Sequence, residues 1–143
     1  MNNLECFADA IMHFEGWSVG SVSYRNRNPG NLRASHAAIG EDEGYAVFGS
    51  FIDGYSALVA DLAAKFSGRT STGLGPTSTV LQFFRAYAPT ADSNYPDQYA
   101  AFVAHWLTVG LRRVVTVNTR LEEIWTPPGI VFDERPKAPE GGS

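Results

Sequence analysis

A chain of 143 residues with 44% hydrophobic side chains has room for one domain and enough apolar content for a sizeable core. Its 11 basic and 15 acidic side chains leave a formal net charge of −4 with no Lys/Arg cluster, which argues against nucleic-acid binding by phosphate neutralisation. Cys6 is the single cysteine, so no intrachain disulfide can form, and no apolar run approaches the ~18 residues of a membrane span.

The opening MNNLECFADA lacks a basic region followed by an apolar stretch, so it does not read as a secretory signal. A substrate outside the cytoplasm would then need another delivery route. From Leu4 the apolar positions fall at Leu4, Phe7, Ile11 and Phe14, one face of a helix that Gly16 ends. Cys6 lies in this segment and reads as a buried thiol. Positions 17–35 are rich in Ser, Asn, Arg and Gly, with a turn at Asn28-Pro29-Gly30. The hydrophilic stretch 41–44 leads into Tyr45-Ala-Val-Phe, one short strand of a hairpin.

Ser50 and Asp53 form a capping-box pattern opening a second helix, with Tyr55, Leu58, Val59, Leu62 and Phe66 at helical spacing and Gly68 as its stop. The stretch 68–79 reads as a mobile loop. A helix from about Thr79 to Ala88 stops before Pro89, and the best-patterned helix runs from Pro96 to Thr108. Tyr99, Phe102, Val103, Trp106 and Leu107 form its apolar stripe, which reads as core. Thr119 and Glu122 predict one last short helix with its own capping box. Positions 133–143, rich in Pro, Gly and charge, read as a flexible tail to a domain spanning 1–132. The fold class expected is mainly α within α+β: a helical domain with a polar loop and a small hairpin after the first helix.

Glu15 stands out. At about 100° per residue it sits on the edge of the apolar stripe, in the last turn, where unpaired carbonyls disfavour a negative charge. Burial against Phe14 or Trp17 would penalise the ionised form further and raise its pKa toward that of a general acid. An exposed glutamate at a frayed helix end is the plainer alternative. The asparagines around Pro29 and Gly30 offer paired donors and acceptors suited to acetamido and hydroxyl groups, although an ordinary Asn-rich turn has the same composition.

The segments "AIMHFEGW", "SYRNRNPGNLR", "YAVFGSFIDGYSALVADL", "FRAYAP" and "SNYPDQYAAFVAHWL", in this order from about Phe7 to Val109, resemble lysozyme-like domains of phage virion and prophage proteins. These belong to the lytic-transglycosylase-like branch of the lysozyme superfamily. The resemblance implies a helical lysozyme-like fold with a cleft for peptidoglycan, and makes Glu15 the catalytic glutamate. It makes Asn31 and Tyr87 substrate contacts, with Tyr24, Asn28 and Asn94 as further candidates. Arg27 stands where relatives often carry a second consecutive asparagine. Delivery by a virion or as an endolysin, with other virion proteins as partners, is a further implication.

Two-carboxylate hydrolysis needs a second acid about 5–9.5 Å from the first. The chain has no acidic residue between Glu15 and Glu41, and Asp53 is engaged as a cap. Glu41, Asp42 and Glu43 could reach a cleft from a hairpin, or form a solvated acidic turn. A lytic transglycosylase needs one carboxylate only, and no cofactor. His13, His36 and His105 are scattered without ligand spacing, so no metal site is expected, and no G-x-S-x-G nucleophile elbow occurs. His13 reads as solvated and His105, beside Trp106, as structural. The expected activity is cleavage of the MurNAc–GlcNAc bond by Glu15, acting as acid and then base. The alternatives are a hydrolytic lysozyme or an inactive glycan-binding domain.

Overall fold

A computed structural model describes residues 2–88 and 95–128. Asn94, Pro89 and the tail at 133–143 lie outside the described residues. The described residues form five α-helices and a two-stranded hairpin: α1 (Asn3–Phe14), α2 (Val22–Arg25), β1 (Gly40–Asp42), β2 (Tyr45–Val47), α3 (Phe51–Phe66), α4 (Val80–Tyr87) and α5 (Pro96–Leu111). A 3-10 turn follows at Leu121–Glu123. Among the described residues no helix is long and apolar enough to cross a membrane.

Helix α1 is the central element, packed against α3 and α5. Its buried side chains are Leu4, Cys6, Phe7, Ala8, Ala10 and Ile11, a wider face than the stripe read from the sequence. Asn2 caps it, accepting from the Glu5 N–H while the Glu5 carboxylate accepts from the Asn2 N–H, so two otherwise unpaired donors are satisfied. At the other end Gly16, at φ +76°, closes the helix with two backbone bonds. The Gly16 N–H reaches His13 O at 3.1 Å and the Trp17 N–H reaches Met12 O at 3.2 Å, the paired bonds of a Schellman ending. Glu15 is thereby fixed as the C-cap, the residue that follows the last helical position, Phe14.

Phe7 is the centre of the core. Its ring meets Phe66 edge-on at 5.0 Å and Phe83 at 5.2 Å, and lies parallel to Phe84 at 5.7 Å. On α5 the core face is Tyr99, Ala100, Val103, Ala104 and Leu107. Phe102 and Trp106, expected in that stripe, instead stack on each other at its edge, because alanines fill the space nearest α1. His13, expected to be solvated, is exposed yet its ring lies 4.4 Å from that of Trp106, so it is His13 rather than His105 that stacks there.

Three further expectations change. Strand β1 forms from residues read as a hydrophilic lead-in; it pairs antiparallel with β2, Glu41 opposite Ala46 and Asp42 opposite Tyr45. The 68–79 stretch, expected to be mobile, is tied down: Leu74 is buried, and Ser78 and Pro76 carbonyls accept from Leu121 and Glu122. The last short helix is a 3-10 turn in which the Glu123 carboxylate accepts from the Arg120 N–H. The Thr119–Glu122 box does not form, since the Thr119 hydroxyl oxygen accepts from Thr116 instead.

Two glycines seat the polar loop on α3. A Cβ at Gly54 would lie 1.9 Å from the Arg27 carbonyl oxygen, and one at Gly30 would lie 2.6 Å from Leu58 Cδ1. Glycine within a helix costs about 1 kcal/mol against alanine. At Gly54 that cost is offset by the close approach it permits.

Candidate functional site

A cleft of about 390 Å³ runs between the polar loop, α3 and the end of α4. Its walls are Glu15, 30–34, Tyr45, Asp61, Lys65, Thr72 and 86–88. Glu15 is half-buried, and both carboxylate oxygens accept hydrogen bonds. Asn31 Nδ2 donates to Oε1 at 3.1 Å and the Tyr99 hydroxyl donates to Oε2 at 2.7 Å. These donors compensate a negative group that the helix end itself disfavours. Phe14 stacks on Tyr99 at 3.9 Å, so an aromatic ring does stand beside the acid. Trp17 does not line this cleft; it packs on Tyr24 at 5.1 Å and Phe51 at 5.2 Å.

Asn31 reaches Glu15 because the loop is pinned from below by Asn28. Asn28 is fully buried, with Nδ2 donating to Leu32 O at 2.9 Å and to Ala46 O at 3.0 Å. Its Oδ1 accepts from the Leu32 N–H at 2.9 Å. Asn31 itself has φ +50°, a left-handed conformation that asparagine tolerates better than most residues. Its Oδ1 is buried without a hydrogen-bond partner among the described residues. Tyr87 closes the loop from the other side, its hydroxyl donating to Gly30 O at 3.0 Å.

Burial, followed by the charges of Glu15 and Asp61, pushes the Tyr87 hydroxyl well above the ordinary tyrosine pKa. Tyr99 is likewise raised by burial first, then by Tyr87 and Glu15. Both phenols are therefore neutral donors at any physiological pH. A phenol can also accept, so Tyr99 can serve Glu15 in its ionised and its protonated state.

The residues picked out from the sequence divide cleanly. Glu15, Asn31 and Tyr87 share the cleft. Asn28 does not face it: every polar atom of its amide is engaged within the protein, so it is a support for the loop rather than a contact for a ligand. Tyr24 is exposed on α2, against Trp17 and away from the cleft walls. Asn94 lies outside the described residues. None of Glu41, Asp42 and Glu43 lines the cleft; Asp42, beside the hairpin turn, is bound by Arg25 of α2 at 2.6 Å.

Four cleft features escape sequence reading. Tyr99 sits in a core stripe, where only the rule that a buried phenol needs a partner hints at its bond to Glu15. Asp61 and Lys65, an ion pair at 2.5 Å, lie one helical turn apart on α3 and bring a second carboxylate to the cleft. The Lys65 ammonium stands 5.4 Å from the Tyr87 ring centre. Arg33 lies over the ring of Tyr45 at 4.4 Å. Among the described residues no three His, Cys, Asp or Glu side chains converge as a metal ion would need. No protein-family model, curated protein or solved structure matches the chain.

Proposed function

We propose that the chain cleaves the glycan strand of peptidoglycan as a lytic transglycosylase, on a lysozyme-like helical scaffold. The observation that best supports this reading is the Glu15 carboxylate, held between Asn31 and Tyr99 at the wall of an open polar cleft. Protonated Glu15 gives its proton to the oxygen of the MurNAc–GlcNAc bond, and that C–O bond breaks. The muramyl acetamido oxygen covers the cationic anomeric carbon. Glu15, now ionised, takes the proton from the muramyl 6-hydroxyl, whose oxygen closes on the anomeric carbon and displaces the acetamido oxygen. The product is a 1,6-anhydro sugar, and Glu15 ends protonated, ready for the next turn. Tyr99 accepts from the acid and donates to its conjugate base.

Asp61 supports a second reading. It is the other carboxylate on the cleft, and a hydrolase needs a second acid to activate water or trap the sugar. Its Oδ2 accepts from the Lys65 ammonium, which holds the carboxylate in place. The setting proposed for either activity is that of a phage or prophage product acting on the bacterial cell wall.

Digestion of purified peptidoglycan followed by mass spectrometry of the fragments tests both readings. Anhydromuramyl ends are the expected result. Reducing ends, lost in Asp61→Asn, would favour hydrolysis, and binding without any fragments would leave a glycan-binding domain.

A further inference from the structure

We propose that Arg33, laid across Tyr45 at the exposed rim of the cleft, recognises a carboxylate on the side arm of a muramyl residue. This rests on the peptidoglycan reading above and adds what distinguishes that strand from an uncharged one. The Arg33 guanidinium carbon is 4.4 Å from the Tyr45 ring centre, and both residues line the cleft that holds Glu15. The Tyr45 ring backs the guanidinium, and an arginine held in this way can grip a carboxylate with two parallel bonds.

The backbone builds this arrangement. The Ala46 N–H donates to Leu32 O at 2.9 Å, which brings Arg33, the residue after Leu32, beside Tyr45, the residue before Ala46. Asp42, the carboxylate opposite Tyr45 in the hairpin, is engaged by Arg25 through Nε at 3.0 Å and Nη2 at 2.6 Å. Arg25, Lys65, Arg85 and Arg120 pair with carboxylates, whereas Arg33, like Arg27, Arg69, Arg112 and Arg113, has no such partner among the described residues; of these five it is Arg33 that lines the cleft. In a chain of net charge −4, a cation fixed on a ring and left without an acid is a site for an external anion. A muramyl residue offers one in two forms: the lactyl carboxylate itself where no peptide is attached, or a carboxylate of the attached peptide.

Binding of three soluble ligands that lack the scissile bond separates the possibilities. These are the GlcNAc–MurNAc disaccharide, its peptide-bearing form, and uncharged chitotriose, each titrated calorimetrically into the wild-type protein, Arg33→Gln and Arg33→Lys. The Gln variant should weaken at least one acidic ligand by about 5- to 10-fold while leaving chitotriose within about twofold. Whichever acidic ligand loses affinity names the source of the carboxylate. Lysine, a point charge without the fork, should restore less than half of the loss, and added salt should weaken the wild type far more than the Gln variant. Equal losses on chitotriose, unchanged binding of both acidic ligands, or a wild type that binds neither of them would overturn the proposal. Cleavage is scored separately on whole peptidoglycan. A wild type that binds these ligands but releases no fragments refutes the enzymatic reading alone, and one that cleaves while Arg33→Gln binds normally refutes only the role of Arg33.

Discussion

The hydroxyl of Tyr99 donates to Oε2 of Glu15 at 2.7 Å, joining positions 84 residues apart. The Tyr99 ring is clamped between Phe14 at 3.9 Å and Phe84 at 4.3 Å, so the donor has little freedom to leave. Tyr99→Phe keeps that packing and removes only the hydroxyl. It should lower kcat for peptidoglycan cleavage roughly tenfold with KM within about twofold, as expected for a group that positions the acid rather than binding the strand. A matching rise in KM would mean that Tyr99 contacts the sugar instead.

Glu15→Gln should abolish fragment release, a loss of at least about 10²-fold, while changing stability by less than about 1 kcal/mol. The variant amide still finds partners: its oxygen can take one donor, and the Tyr99 phenol can turn to accept from its nitrogen. Activity at the wild-type level in this variant would show that the acid lies elsewhere.

Of six tyrosines, Tyr55, Tyr87 and Tyr99 have hydroxyls raised above their ordinary range. In each burial is the first cause; for Tyr55 the next is the hydrogen bond it donates to Asp9. A group whose folded pKa is raised contributes stability below its unfolded value, about 10, and loses that contribution as pH climbs above it. The urea midpoint should therefore fall between about pH 9 and 11, about one unit either side of the unfolded pKa. Over the same range the native protein should show less phenolate absorbance than the unfolded chain, because Tyr55, Tyr87 and Tyr99 stay protonated. Full native absorbance at an ordinary midpoint would contradict the burial of these rings.

Asn28→Ala strips two carbonyls and one N–H of their buried partner, and should destabilise the fold by about 2–4 kcal/mol in urea unfolding. Asn28→Asp should be at least as harmful, since a carboxylate would face the Leu32 and Ala46 carbonyls where an amide now donates. If alanine there were tolerated with less than about 0.5 kcal/mol lost, the loop would have some other support.

At Gly16 an added Cβ meets nothing within 4 Å, so Gly16→Ala isolates the strain of φ +76°. The expected loss is about 1 kcal/mol of stability, read as a lower urea midpoint. Cleavage should fall as well, because the residue that absorbs the strain adjoins Glu15. An unchanged midpoint would mean that the helix end relaxes without consequence.

Helices α1, α3, α4 and α5 were legible because of their apolar spacing and end signals, with Gly16, Ser50, Gly68, Thr79 and Pro96 punctuating their ends. Strand β1 was not, because its exposed residues Gly40 and Glu41 show no alternation. Glu15 and Asn31 were singled out from sequence and touch in the structure, although what they do together remains the proposal above. Tyr99 was missed because periodicity registers burial and is blind to where a hydroxyl points. Asn28 was misassigned for the converse reason: an amide in a turn looks the same whether it meets solvent, a sugar or two carbonyls, and only tertiary neighbours decide. Asp61 and Lys65 were passed over, since sequence spacing cannot say which side of a helix borders a cleft.

The smallest element of the fold has an outsized duty. The hairpin supplies the Ala46 carbonyl to Asn28 and the Ala46 N–H to Leu32, while Phe48 joins the Asn26 carbonyl and accepts from Arg27. It is a splint for the loop that carries Asn31. Trimming it to a plain connection would leave most of the helical core intact, yet would free that loop from Glu15. The length of these two short strands is thus constrained by the aim of one asparagine, and a variant that folds well without them should be the first to lose its chemistry.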